Sequence, residues 1–502
     1  MRRGLPRARA GLVGAALTAT VLVPLLGART APASAVNVPT PTCVARSTPI
    51  PSGPATLASQ TTMPGYGGRL LKVVLNSPAM GDQQPVYVLL PPNYDPSGAV
   101  KYPVLYLLHG SGGSYADWIN HGVEDDIDYT TVADHLVPFI TVMPSDGTWG
   151  YYTNWYGNDL TDNLSKPPPA WETYDIDELI PWVDGHFPVN ASRSGRAIAG
   201  LSMGGFGAMS YASRYPDLFA AAGSFSGVTD TDIDYPVGGE LLNALSVAFT
   251  ESTPDLCVWG DPVLQSAVWH GGDPDYLASN LADTSLFVAS GNGNAGTYDK
   301  PGETEEVDGA IESFIYSMNQ QFAAALTTDH IAFTKYFYGA GTHSWGYWLR
   351  DLAHFLPQLS AVFSHPTTAH PTDFSFRTVD TAFSEWGYSF GVQHVAEDFT
   401  YLNNVSPSAM TVTGTGVLSV STPPNYVPGG FYRIAITPIG GSGSLPVTNL
   451  SLEADSSGHL SYVINLGGPD LVQQFDFSDA VPAGFQRVQI GITQAPKPVA
   501  EG

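Results

Sequence analysis

GRAIAGLSMGGFGAMSYASRYP, residues 195–216, decides how the rest of the chain is read. Residues 195–202, GRAIAGLS, read as a strand running into the motif that follows. FGAMSYASRYP (206–216) then reads as a helix that stops at Pro216. Between them lies Gly200-Leu201-Ser202-Met203-Gly204, a G-x-S-x-G pentapeptide. On a sharp strand-to-helix turn this pattern lifts a serine hydroxyl above a sheet, beside a helix N-terminus. Glycine on each side lets strand and helix approach without side-chain collision. Ser202 is therefore the candidate nucleophile. The same pentapeptide also occurs as a plain small-residue turn, so the flanking chain has to supply the rest.

Outward from this stretch the pattern alternates. RLLKVVLN and QPVYVLLPPNY read as two strands joined by a turn. YPVLYLLHG (102–110), FITVMPSDG (139–147), LFAAAGSFSG (218–227), SLFVASGNGN (285–294) and IAFTKYFYG (331–339) read as further strands. Helical spacing marks 172–187, 307–326 and 345–359; Ile311, Phe314, Ile315, Met318, Phe322 and Leu326 share one side of the second. Strands alternating with helices imply a doubly wound, mostly parallel α/β sheet over residues 67–366. In such sheets ligands sit outside the C-terminal strand ends. Beyond SHPTTAHPTD (364–373) the texture is short alternating runs split by Gly, Pro, Asn and Ser. Residues 367–502 are thus expected to form a smaller, all-β, sandwich-like domain. Its Trp386, Tyr388 and Tyr401 read as core rather than a sugar platform.

A serine hydroxyl needs a base. Of twelve histidines, His343 follows the last expected strand and precedes the last helix, in GAGTHSWGYW. That gives the chain order Ser, acid, His. The acid must lie between them, and Asp299, Glu303, Glu305, Glu306, Asp308 and Glu312 all qualify by position. An oxyanion hole needs two backbone N–H groups aimed at the developing charge. One is expected from Met203. The other falls in His109-Gly110-Ser111-Gly112-Gly113, with Ser111 the expected donor and Gly110 the alternative. The acid clusters VEDDID (123–128) and DTDIDY (230–235) lack the Gly and distal Glu of an EF-hand loop and read as solvated turns. No metal or cofactor is expected.

Residues 1–35 carry a basic start, an apolar stretch over 11–27 and Ala33-Ser34-Ala35, the pattern of a cleaved secretory signal. Gly14, Pro24 and Gly27 interrupt the apolar run, which argues against a membrane anchor. A secreted, extracellular or cell-wall-associated bacterial protein is expected, not membrane-spanning once cut. Residues 36–66 are rich in Pro, Ser and Thr and read as a tail or linker. Cleavage removes five Arg, leaving 15 basic residues against 46 acidic. An acidic surface of this kind repels nucleic acid. Cys43 and Cys257, the only cysteines, allow one disulfide or stand as two buried thiols.

GLSMGG, VMPSDGTWGYYTNWYG, TYDIDELIPWV, CVWGDP, FVASGNGN and GTHSWGYW, in this order and spacing, resemble the esterase D branch of the α/β-hydrolases. The nearest likeness is to the antigen 85 mycolyltransferases, over residues 68 to 363. The resemblance implies a Ser–Glu–His triad and acyl transfer from an ester to water or an alcohol. It selects Glu312 among the acids, places the oxyanion amides at Ser111 and Met203, and matches Trp345 to a tryptophan lining the acceptor site. In the mycolyltransferases the oxyanion loop carries Asp and Arg that help hold a sugar; the aligned positions here are His109 and Gly112. The HGSGG form resembles instead the hydrolytic members, formylglutathione hydrolases and feruloyl esterases. His109 and Trp345 are the expected substrate-binding side chains. The expected partner is an acyl ester, lipid or polymeric, with cell-wall or polymer contact through the C-terminal region. An antigen 85-type acyltransferase and a non-catalytic adhesion protein are the alternatives.

Overall fold

The computed structural model describes residues 43–133, 136–159, 166–231, 256–300, 305–366, 370–441, 443, 445–475, 477 and 480–497. The expected signal segment lies outside them. The central sheet contains β2 (Thr56–Thr62), β3 (Leu70–Ser77), β4 (Asp82–Leu89), β5 (Val104–Leu108), β6 (Ile140–Pro144), β8 (Arg196–Leu201), β9 (Ala221–Phe225), β10 (Ser285–Gly291) and β11 (Phe333–Gly339). Their order is β11-β10-β9-β8-β5-β6-β4-β3-β2. The pairs from β11 to β6 are parallel and those from β6 to β2 antiparallel. β5, β6, β8 and β9 are buried at every residue; β5 is an unbroken apolar run, while β6, β8 and β9 also bury Thr141, Arg196 and Ser224.

Helices cover both faces. On one, Ile180 and Val183 of α2 (Ile180–His186), Phe206 and Met209 of α3 (Met203–Arg214), and Ile315, Met318 and Phe322 of α4 (Glu305–Thr328) share a core with Ile198. On the other, Val123 and Ile127 of α1 (Val123–Ala133) and Leu352, Phe355 and Leu359 of α5 (Trp345–Ser364) pack with Ala197 and Ala199. Neighbours 197, 198 and 199 thus point to opposite faces, the period-two rule of a strand.

Four expectations need correction. Residues 36–66 are not simply a linker. β1 (Cys43–Ala45) pairs antiparallel with β7 (Gly157–Asp159), and β2 joins the sheet edge against β3. All seven residues of β2 are exposed, so it is held by its backbone pairing with β3 and a bond from Asn76 Nδ2 to Thr56 Oγ1 (3.2 Å), and no apolar pattern announces it. The helix expected over 172–187 contains a π-helical turn, Tyr174–Leu179, before α2. VEDDID is not a turn: it opens α1, with Val123 and Ile127 buried and Asp128 paired to Arg69. In DTDIDY, Asp230 and Thr231 are buried rather than solvated, and Thr231 donates to Asp273 through its N–H (3.0 Å) and hydroxyl (2.9 Å). Residues 232–235 lie outside the described residues. Cys43 and Cys257 are joined as a disulfide, Cα–Cα 5.3 Å, which ties β1 to the α/β core.

The remaining strands are β12 (Phe374–Thr378), β13 (Ala382–Glu385), β14 (Tyr388–Gln393), β15 (Thr400–Val405), β16 (Ala409–Gly414), β17 (Val417–Ser421), β18 (Phe431–Gly441), β19 (Thr448–Glu453), β20 (Ser461–Asn465) and β21 (Gln486–Ala495). They form two sheets, β12-β15-β16-β21-β18-β19 and β13-β14-β17-β20, antiparallel throughout and sharing one apolar core. This region is locked to the α/β core by Arg214. Its guanidinium bonds Glu172 (2.6 Å) and takes both oxygens of Asp380 (3.1 Å each). Trp386 and Tyr388 are core residues; Arg193 lies over the Trp386 ring, 5.0 Å from its centroid.

Candidate active site

Ser202 sits at the β8–α3 junction with φ 52° and ψ −120°. This left-handed conformation is costly for a residue with a Cβ and persists only where the surroundings enforce it. Here Ser202 N–H donates to Phe225 O (3.0 Å), and Ser202 O accepts from the amides of Gly205 (2.9 Å) and Phe206 (3.1 Å). Gly200 is required by close approach: a Cβ there would lie 2.3 Å from Gly204 O.

His343, in the loop between β11 and α5, brings Nε2 to 2.9 Å from Ser202 Oγ. Its Nδ1 lies 2.7 Å from Oε2 of Glu312, on the first half of α4. Glu312 is fully buried. Its other oxygen, Oε1, accepts from Gly291 N–H (2.7 Å), Ser226 Oγ (2.8 Å) and Ser290 Oγ (3.0 Å). Three donors on one oxygen and an imidazole on the other satisfy a buried carboxylate. Ser226 and Ser290 stand at the C-terminal ends of β9 and β10 and were missed in the sequence. Their position at strand ends was the available signal. Of the other acids, Asp308 contributes its carbonyl, accepting from His343 N–H (3.1 Å), and Asp299 bonds Thr342 and Tyr347. Glu303 lies outside the described residues.

The HGSGG loop packs directly on the serine. A Cβ on Gly110 would fall 2.5 Å from Leu201 Cδ1 and 3.3 Å from Ser202 Cβ. Gly112, at φ +75°, donates its amide to Thr148 O (2.8 Å). Met203 N–H opens α3, where an amide has no intrahelical acceptor. Among the described residues, neither it nor Ser111 N–H donates to a backbone acceptor.

His109 does not occupy the position expected of it. Its side chain is buried and is absent from the cavity lining. Nδ1 lies 2.9 Å from Gly110 O, and Nε2 accepts Asp146 N–H at 3.3 Å. A carbonyl only accepts, so Nδ1 carries the proton and the ring is neutral. Burial holds the imidazole below its usual pKa. Asp146 beside it is pushed well above the usual carboxylate range by burial and by Asp175.

Ser202 and His343 open into a cavity of about 510 Å³. Val228, Ile311, Phe314, Ile315 and Met318 form an apolar wall, and Trp149, Trp345 and Trp348 line it as well. Trp345 stacks on His121 at 3.7 Å between ring centroids. No group of side chains suited to a metal ion occurs among the described residues.

The mostly parallel sheet, with Ser202 on the strand-to-helix turn after β8, is the α/β-hydrolase arrangement. The chain belongs to the family described as "Putative esterase", whose model matches residues 77–359. It is 32% identical to Esterase Rv1288 of Mycobacterium tuberculosis over 265 residues, 49% of this chain and 54% of that protein. The match thus spans about half the length of that relative. It is 29% identical to the diacylglycerol acyltransferase/mycolyltransferase Ag85B of Mycobacterium leprae over 316 residues, 61% of this chain and 88% of that protein. Among solved structures, a ferulic acid esterase superposes with a TM-score of 0.45 at 23% identity, over 59% of this chain and 99% of its own.

Proposed function

We propose that this chain is a secreted serine carboxylic-ester hydrolase or acyltransferase working through Ser202, His343 and Glu312. The observation that carries the reading is the unbroken line from Ser202 Oγ through His343 to Glu312, at 2.9 and 2.7 Å. Ser202 Oγ attacks the ester carbonyl while His343 Nε2 takes its proton. The tetrahedral oxyanion is held by the N–H groups of Ser111 and Met203. As the C–O bond breaks, His343 returns the proton to the leaving alcohol, and the acyl group remains on Ser202. Water or a second alcohol, deprotonated by His343, then attacks the acyl carbon, and Ser202 recovers its proton. Glu312 holds Nδ1–H and stabilises the imidazolium formed in each half. No cofactor enters either half.

The substrate's acyl group lies along the apolar wall of α4, and Trp345 contacts the alcohol portion. A second reading, acyl transfer to a sugar or diacylglycerol in envelope-lipid assembly, is supported by that same wall and by the activities in the name of the M. leprae relative. Secretion is supported by the basic, apolar and Ala-Ser-Ala leader. The β-rich region from about residue 367 is a sandwich docked on the α/β core and contacts a polymer or cell wall. No helix among the described residues is long and apolar enough to cross a membrane. The deciding experiment is a panel of acyl esters, acetyl to palmitoyl, assayed with and without trehalose and diacylglycerol. Hydrolysis unaffected by acceptor supports the esterase reading; transfer outrunning hydrolysis supports the second. Turnover unchanged in Ser202→Ala would place the nucleophile elsewhere, and a wild-type protein that turns over no ester in the panel would leave only a binding role.

A further inference from the structure

The loop that carries the base is pinned from both sides by one carboxylate outside the triad. Asp299 lies between β10 and α4. Its Oδ2 accepts from Gly296 N–H (2.6 Å) and Tyr347 OH (2.6 Å), and its Oδ1 accepts from the hydroxyl of Thr342. Thr342 immediately precedes His343, and Tyr347 stands in the first turn of α5 just after it. Both are buried. Backbone bonds run alongside: Gly341 N–H to Asn294 O (2.7 Å) and Gly293 N–H to Gly341 O (3.0 Å). Asp299 is absent from the cavity lining, so it does not reach substrate. Partial burial opposes its charge, but the bonds from Thr342, Tyr347 and Gly296 hold its carboxyl below the usual range. It is therefore an ionised, acceptor-only group facing three donors.

We infer that Asp299 is a positioning residue for the base: by clamping Thr342 and Tyr347 it fixes the His343 imidazole between Ser202 and Glu312. The inference rests on the triad proposed above. The imidazole must meet two partners at once, and a displacement of about 1 Å at such a contact costs on the order of 10²-fold in rate. An asparagine at 299 has a single carbonyl oxygen, and its amide would turn N–H donors toward either Thr342 or Tyr347 and Gly296.

The test compares kcat, KM, melting temperature and the rate of fluorophosphonate labelling for wild type, Asp299→Asn, the double variant Thr342→Val/Tyr347→Phe, and His343→Ala. The expected result is a fall in kcat and labelling rate of about tenfold or more in the first two variants, with KM held within roughly twofold. If Asp299→Asn does not fold, the double variant, which removes two of the same three bonds, decides alone. A kcat within about twofold of wild type, or a KM rising in step with the fall in kcat, overturns the inference. His343→Ala with wild-type turnover would instead overturn the triad itself, so the two failures are distinguishable.

Discussion

Glu312 divides its two oxygens between unlike tasks: Oε2 faces His343 Nδ1 at 2.7 Å, while Oε1 gathers Gly291 N–H, Ser226 Oγ and Ser290 Oγ. This division fixes what an amide would do. In Glu312→Gln the carbonyl oxygen must take the Oε1 position, because three donors converge there. The NH₂ then points at Nδ1 and forces it to accept, leaving the proton on Nε2, where it cannot take the serine's proton. Loss of about 10³–10⁴-fold in kcat is expected, with little change in KM or fold. Steady-state kinetics of the purified variant check this, and a loss below about tenfold would contradict the tautomer argument.

Phe314 is half-buried on α4 and lines the cavity. Phe314→Ala should lower kcat/KM for long-chain acyl esters by about tenfold, equivalent to roughly 1.4 kcal/mol of lost apolar contact, and leave acetyl esters nearly unchanged. Ester chain-length profiles of the two proteins are the measurement. Equal losses on acetyl and long-chain esters would show that the acyl group lies elsewhere.

Arg214 links Glu172 of the α/β core to Asp380 of the β-rich region, away from the cavity. Removing it leaves the buried Glu172 carboxylate without its cation. Arg214→Ala should cost about 3–5 kcal/mol in denaturant unfolding. Arg214→Lys should restore only part, since an ammonium cannot reproduce the fork that reaches both acids. Turnover per folded molecule should be unaffected.

Asp351 offers a pH test. Burial pushes its carboxyl up to about 7 despite Arg350 at 2.8 Å, and the nearby Glu312 charge adds to the rise. The folded state therefore holds this proton more tightly than the unfolded chain, whose carboxyl titrates near 3.8. The resulting stability is complete below about pH 4 and lost as pH rises through about 7. Asp351→Asn removes the titration. Its stability relative to wild type should become more favourable from pH 5 to pH 8, read as denaturant midpoints at both values. A difference that does not move with pH would rule out this assignment.

Local pattern carried much of this molecule and failed at identifiable places. The buried run of β5 is legible because both faces demand apolar residues. The elbow at Ser202 is legible because its small flanking residues are a local necessity. The face of α4 was readable as apolar, but periodicity cannot say that Ile311, Phe314, Ile315 and Met318 line a cavity rather than only fill a core. Nor could it single out Glu312, whose surroundings come from the ends of β9 and β10, 86 and 22 residues away along the chain. The resemblance to a known family made that choice. β2 was invisible because a wholly exposed edge strand has no apolar code. His109 was misplaced because its burial depends on Asp146 and Tyr152, which long-range folding brings over the loop.

The central claim is that His343 activates Ser202 as a nucleophile. Intact-mass and peptide mapping after fluorophosphonate treatment tests it most directly. The account predicts one adduct per chain, on the peptide carrying Ser202, lost in Ser202→Ala and slowed by about 10³-fold or more in His343→Ala. An unlabelled protein, an adduct on another residue, or labelling of His343→Ala at the wild-type rate would contradict it.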